Sequence, residues 1–166
     1  MVHFRSRGIG LEQCIQLMKN SRNGTIWFHG EREKNTKLFF YHYLIDLLDA
    51  GANPTIKAID PVTGLERSAP YKAAGTSLLY VKELIEKGKV PPQFTTNEIS
   101  MLEVAAIQHK VDIVYYLCVS KRQSLMAPLK TYGKDSRKLI DIVREWNFKP
   151  DSKYYILQKE ILEIYK

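Results

Sequence analysis

Two stretches of the chain repeat one pattern of small and apolar residues. Residues 68–74 and 100–106 each begin with serine and end with two alanines, and an apolar residue follows seven positions later, Val81 or Ile113. The two alanine pairs stand 32 residues apart. Because alanine favours helix and lets a neighbouring helix approach closely, this recurrence predicts stacked units, each made of two helices joined by a turn.

Larger apolar residues predict the second helix of the later unit and another helix in the last third of the chain. Ile113, Val114 and Leu117 form the inner stripe of the former. The other helix has an apolar residue at each of the positions i, i+3, i+4 and i+7, which are Leu139, Ile142, Val143 and Trp146. Such spacing places the apolar side chains on one face of a helix. Asp135 or Ser136 is the expected N-cap of that helix.

The pattern predicts one domain that spans residues 1–166. An amphipathic run within residues 1–23 is expected to form an N-terminal capping helix, and residues 24–120 are expected to hold the repeats. Residues 121–166 are expected to be either one more degenerate repeat or a C-terminal helical cap. No apolar run approaches the roughly 20 residues that a membrane-spanning helix needs.

Residues 100–117 resemble an ankyrin repeat, whose pattern begins T-P-L-H-x-A-A. Ser100 stands for the threonine and Met101 for the proline, Leu102 and the alanine pair match, and Glu103 replaces the histidine. A weaker resemblance extends over residues 24–118. It implies an all-α fold, an ankyrin-like helical repeat solenoid with irregular hairpin or loop fingers and a capping helix at each end. Another α-solenoid and an irregular helical bundle are the alternatives.

A third trace of the same family lies upstream. Residues 47–53 are similar to the family's second-helix ending, L-L-x-x-G-A-D. Gly51 is the expected left-handed C-cap of this helix, and Pro54 prevents the helix from continuing.

The resemblance implies that fingers and first helices line a concave face that binds another macromolecule. The fingers are residues 53–67 and 89–97. Phe94 is expected either to contact a partner or to fold back against the seam between repeats. The predicted partner-binding residues are Thr63, Leu65, Glu66, Arg67, Tyr71, Lys72, Phe94, Thr96, Asn97, Met101 and Glu103.

The net charge of +7 offers a second hypothesis, a basic surface that binds nucleic acid or an anionic membrane. An acidic protein would be attracted by the same charge, and an ordinary solvated surface is the alternative. The basic cluster, as we name it below, comprises Lys121, Arg122, Lys130, Lys134, Arg137 and Lys138.

Catalytic chemistry is not expected, because the chain has no phosphate-binding glycine loop, no H-E-x-x-H and no C-x-x-C. Cys14, His29 and Asp46 form an imaginable nucleophilic set, but Cys14 falls on an apolar stripe where a thiol is shielded. We therefore expect no catalytic residue, no cofactor, no metal and no small-molecule substrate. The predicted function is protein binding in the cytoplasm, with capture of a host factor by a viral or bacterial protein as one possible origin.

Overall fold

The computed structural model describes residues 34–59, 64–130 and 137–166. The chain forms two compact units, with the boundary between Asn53 and Pro54. The described part of the first unit is helix α1 (Lys34–Asp49) and the turn that ends it. Gly51 has φ +81°, and the amides of Gly51 and Ala52 donate to the carbonyls of Leu48 and Leu47 at 3.1 and 3.0 Å. These bonds form a Schellman motif, so the predicted left-handed C-cap is confirmed.

Two segments of the second unit share one order of elements, a strand pair followed by a helix pair. The first hairpin segment consists of β1 (Lys57–Ile59), β2 (Glu66–Ser68), α2 (Ala69–Ala74) and α3 (Leu78–Glu86). The second hairpin segment consists of β3 (Thr95–Thr96), β4 (Ile99–Ser100), α4 (Met101–Ile107) and α5 (Val111–Tyr115), which continues as a π-helical turn over Tyr116–Ser120. Helices α6 (Leu139–Glu145) and α7 (Lys153–Glu163) follow.

The predicted all-α fold class, an ankyrin-like repeat solenoid, is wrong. About half of the described residues are helical, but these residues also form two antiparallel sheets of two strands each, which gives a mixed α/β content. In the first sheet Lys57, Ala58 and Ile59 pair with Ser68, Arg67 and Glu66. In the second sheet, Asn97 and Glu98 have φ +52° and +65°, the geometry of a two-residue type I′ turn. Strands of two or three residues are too short to leave an alternating pattern in the sequence.

A serine starts the first helix of each hairpin segment. The Ser68 hydroxyl accepts a hydrogen bond from the amide of Tyr71 at 3.3 Å, and the Ser100 hydroxyl accepts one from the amide of Glu103 at 3.0 Å. Each bond satisfies an amide that has no partner within its helix. The repeated serine of the sequence pattern is therefore a repeated N-cap.

Helix α4 lies in the middle of the core of the second unit. Six consecutive side chains, from Met101 to Ala106, are buried, and the helix packs against α2, α5 and α6. The indole nitrogen of Trp146 donates to the carbonyl of Ala106 at 3.2 Å, which fixes the end of α6 to the end of α4. The Ala-Ala pair thus allows the close packing that its small side chains predict.

The predicted apolar stripe of α6 is confirmed, since Leu139, Ile142, Val143 and Trp146 are all buried. The predicted N-cap is wrong, because α6 begins after Lys138, whose amide donates to the Asp141 carboxylate at 2.9 Å. None of the helices within the described ranges combines the length and apolar character needed to cross a bilayer. The capping helix expected within residues 1–23 lies outside the described residues, and the cytoplasmic compartment stays a prediction.

Candidate partner-binding site

The predicted partner-binding residues fall into four groups. Thr63 lies outside the described residues. The side chains of Leu65, Glu66, Lys72 and Asn97 are exposed, those of Arg67, Tyr71 and Phe94 are half-buried, and those of Thr96, Met101 and Glu103 are buried. The structure therefore leaves Leu65, Glu66 and Lys72 at the surface, whereas it buries most of the residues of α4.

The three buried residues have structural contacts that remove them from any exposed surface. The hydroxyls of Thr96 and Ser68 share a buried hydrogen bond of 2.6 Å, which joins the bases of the two hairpins. Met101 is 1% exposed within the core. Glu103 is 2% exposed, and its carboxylate accepts a hydrogen bond from the backbone amide of Lys130 at 2.8 Å. The prediction that these three residues line a binding surface is therefore corrected, because their side chains are buried.

Arg67 and Tyr71 form a stacked pair at the start of α2. The guanidinium carbon of Arg67 lies 4.4 Å from the centre of the Tyr71 ring. Arg67 belongs to β2 and Tyr71 to the first turn of α2, so the capping serine between them sets both positions. Leu65 lies two residues before Arg67, and side chains two residues apart on an extended chain share a side. We call Leu65, Arg67 and Tyr71 the hairpin face.

The opposite side of the first hairpin carries an ion pair. Glu66 forms an ion pair with Lys57 on the neighbouring strand, with 3.6 Å between the charged atoms. Ile59, which pairs with Glu66 across the strands, is 65% exposed. The Asn97 side-chain amide donates to the carbonyl of Glu66 at 3.5 Å, so β2 and β3 lie side by side. Glu66 is thus exposed but points away from the hairpin face.

Phe94 is intermediate between the two arrangements that the sequence allows. Its amide donates to the carbonyl of Pro91 at 2.9 Å, which closes a tight turn before β3. The side chain is partly covered and partly accessible. Phe94 therefore neither projects freely from the finger nor enters the core.

The basic cluster is less uniformly positive than its sequence suggests. Arg137 pairs with Glu145 at 3.5 Å, and Lys121 lies 3.8 Å from the Glu86 carboxylate and 5.2 Å from the centre of the Tyr116 ring. The side chains of three other members are exposed, those of Arg122, Lys130 and Lys138. Lys134 lies outside the described residues. Carboxylates therefore offset part of the positive charge of this surface.

Reactive groups give no support to a catalytic site in the described part of the chain. Cys118 is a free, buried cysteine, and burial raises the pKa of its thiol to about 11, although a hydrogen bond with Tyr165 acts in the opposite direction. It lines a groove of about 380 Å³ together with Gln123, Tyr165 and neighbouring side chains. Among the described residues no cluster of histidine, cysteine, aspartate or glutamate has the arrangement to hold a metal ion. Cys14 and His29 lie outside those residues.

Two features of the site went unrecognised in the sequence, although each left a signal. Arg67 and Tyr71 stand four residues apart across a helix start, a spacing that brings side chains together on a helix. Glu103 is the only polar residue of α4, and a short helix that is apolar on all sides is typically buried. The contact between Glu103 and Lys130 left no signal, because it depends on a loop 27 residues later.

Comparisons with models of protein families, with curated proteins and with solved structures gave no match for this chain. The resemblance to ankyrin repeats therefore stays a prediction. What the chain does has to be argued from the geometry of its own residues.

Proposed function

We propose that this chain is a protein-binding module and that the hairpin face contacts the partner. The observation that carries the proposal is an exposed apolar side chain close in sequence to a fixed pair: Leu65 is 51% exposed and lies two residues before Arg67, which contacts Tyr71. Binding energy at protein interfaces is concentrated in a few side chains, among which tyrosine and arginine are enriched. The hairpin face contains one of each, together with an exposed leucine.

The support beneath the hairpin face favours binding because little of it has to be ordered on association. The buried bond between Ser68 and Thr96 joins the two hairpins, and the Ser68 hydroxyl also caps α2. The contact from Asn97 to the Glu66 carbonyl adds a second link between the hairpins. A surface that is already held in place loses less conformational entropy when a partner binds.

A nucleic acid or an anionic membrane is a weaker candidate partner. Arg137 and Lys121 already have carboxylates close by, which lowers the positive potential of the basic cluster. Binding to phosphate groups falls steeply as salt is added, whereas an apolar contact does not. A partner held by the hairpin face should therefore remain bound when the salt concentration is raised from 50 to ~200 mM, the range over which phosphate contacts weaken most visibly.

The experiment compares two leucines of similar exposure. Leu65 lies on the hairpin face, and Leu79 lies in the first turn of α3 with 46% exposure. Proteins captured from lysate by the wild-type chain are identified by mass spectrometry, and capture is repeated with Leu65→Glu and Leu79→Glu. We expect Leu65→Glu to lose a partner that Leu79→Glu retains. Equal capture by both variants would contradict the proposal, provided that both show the wild-type circular dichroism spectrum.

A further inference from the structure

The guanidinium group of Arg67 has no acceptor among the described residues. Its Nε atom is buried and makes no hydrogen bond, and no described carboxylate forms an ion pair with it. Within the described ranges the group lies over the ring of Tyr71, whose centre is 4.4 Å from the guanidinium carbon. A buried donor without an acceptor is uncommon in folded proteins and needs an explanation. The side chain as a whole is half-buried, so an acceptor from another molecule can approach the guanidinium only from its accessible side.

Two other arginines of the second unit already have carboxylate partners. Arg137 pairs with Glu145 at 3.5 Å, and Arg144 pairs with Asp141 at 3.4 Å. Glu66 is the acidic residue next to Arg67 in the sequence, but it pairs with Lys57. The strand alternation explains this choice, because adjacent residues of a strand point to opposite sides. Arg67 is thus kept apart from its nearest carboxylate in the sequence.

The stack on Tyr71 determines what kind of group Arg67 is suited to bind. The guanidinium carbon lies over the Tyr71 ring, so the ring covers one side of the group. The N–H donors of a guanidinium lie in its own plane. A carboxylate presents two coplanar oxygens and accepts two parallel hydrogen bonds from such a group. Stacking also limits the conformations of the arginine side chain, which reduces the entropy lost when the ion pair forms.

We infer that Arg67 is the anchor for an acidic side chain, aspartate or glutamate, of the protein partner. This inference rests on the proposed function. Leu65 lies immediately before β2, two residues from Arg67, and on an extended chain this spacing places two side chains on one side. An apolar residue next to the partner's carboxylate would then cover Leu65. The recognised element is therefore a short segment that pairs one carboxylate with a neighbouring apolar side chain.

Nuclear magnetic resonance of ¹⁵N-labelled protein tests the chemistry directly. The probes are the blocked peptide acetyl-Leu-Glu-Leu-amide, the same peptide with glutamine, and the same peptide with phosphoserine. The guanidinium resonances of Arg67, from the Nε–H and the two Nη groups, are assigned by their absence in Arg67→Lys. We expect the glutamate peptide to shift the Nη resonances downfield and the glutamine peptide to leave them in place. No shift with glutamate, an equal shift with glutamine, or a shift with phosphoserine alone overturns the inference.

Variants connect this chemistry to the partner found by capture. We expect Arg67→Gln to weaken partner binding at least tenfold and Arg67→Lys to weaken it less, because lysine keeps the charge but loses the planar pairing. Arg144→Gln is the matched control, since that arginine already has its carboxylate, and it should bind as the wild type does. Full binding by a folded Arg67→Gln variant overturns the inference.

The two proposals fail in different ways. If Leu65→Glu loses the partner while Arg67→Gln retains it, the hairpin face binds a protein but the carboxylate anchor is wrong. If Leu65→Glu retains the partner, the proposed function fails, whatever the peptide titration shows for Arg67.

Discussion

Tyr71 and Glu103 occupy corresponding positions in the two hairpin segments, yet they have opposite roles. Each lies three residues after a capping serine, and each donates its amide to that serine. Tyr71 is half-buried and supports the guanidinium of Arg67 from below, whereas Glu103 is buried and binds the amide of Lys130. The backbone position is repeated, but the use of the side chain is not.

The surroundings of the two helices explain this difference. Helix α4 is packed by α2, α5 and α6 around it, so a side chain at position 103 meets protein on every side. Helix α2 leaves Tyr71 and Lys72 accessible at its N-terminal end. The second hairpin segment, which follows the repeat pattern best, is therefore the centre of packing. The first hairpin segment, which diverges more from the pattern, provides the accessible surface.

The largest expected effect concerns Cys118, which lies 32 residues after the exposed Glu86 and so corresponds to it in the repeat. Burial raises the pKa of the thiol from 9.0 to about 11. Because the thiolate is the reactive form, alkylation at pH 8 should be about 100-fold slower than for an ordinary cysteine. Iodoacetamide labelling of Cys14→Ser, followed by mass spectrometry, measures this rate. A rate that does not increase in urea would contradict the expectation.

The same pKa shift predicts a loss of stability at alkaline pH. The folded chain keeps the Cys118 proton up to a pH of about 11, whereas the unfolded chain releases it near 9.0. Between these values the folded state binds more protons, so the free energy of unfolding falls as the pH rises. Tyrosines also titrate in this range, so the informative quantity is the difference from Cys118→Ala, which should lack this part of the decline.

A stability comparison of Glu103→Ala with Tyr71→Ala sharpens the contrast between the helices. Removing the Glu103 carboxylate leaves the Lys130 amide without its acceptor, at a cost of about 2 kcal/mol. Removing Tyr71 loses a partly exposed stacking contact, worth about 0.5–1 kcal/mol. Urea unfolding measures both changes.

Glu103→Gln provides the control for that comparison, because its side-chain carbonyl can still accept from the Lys130 amide. It should recover most of the stability that Glu103→Ala loses. If Tyr71→Ala proved the more destabilising change, the division between a packing helix and a surface helix would be wrong.

The smallest expected effect is the difference in stability between the alanine variants of the two capping serines. Ser100→Ala removes an N-cap and should cost about 1 kcal/mol. Ser68→Ala removes an N-cap and also leaves the buried Thr96 hydroxyl without that partner, so it should cost about 1 kcal/mol more. Thermal and urea unfolding of the two variants test this order. The double variant Ser68→Ala, Thr96→Val should recover part of the difference, because it removes both polar groups.

Local patterns in the sequence predicted much of the helical part of the second unit. The alanine pairs and the stripe of Leu139, Ile142, Val143 and Trp146 depend on residues a few positions apart, and the structure buries them. The strands could not be predicted in the same way, because their pairing depends on register across a turn. The burial of Glu103 and the contact between Ser68 and Thr96 depend on residues about 30 positions apart. Only the folded chain brings those groups together.

The hydrogen bond between Glu103 and Lys130 has a consequence for how freely the chain can vary. Glu103 holds a peptide amide and not the lysine side chain, so any residue except proline at position 130 supplies the same donor. The exposed side chain at that position is therefore not needed for this hydrogen bond. Substitution can therefore make this side chain longer, or reverse or remove its charge, without changing the fold. Position 130 is for that reason a suitable site for attaching a probe.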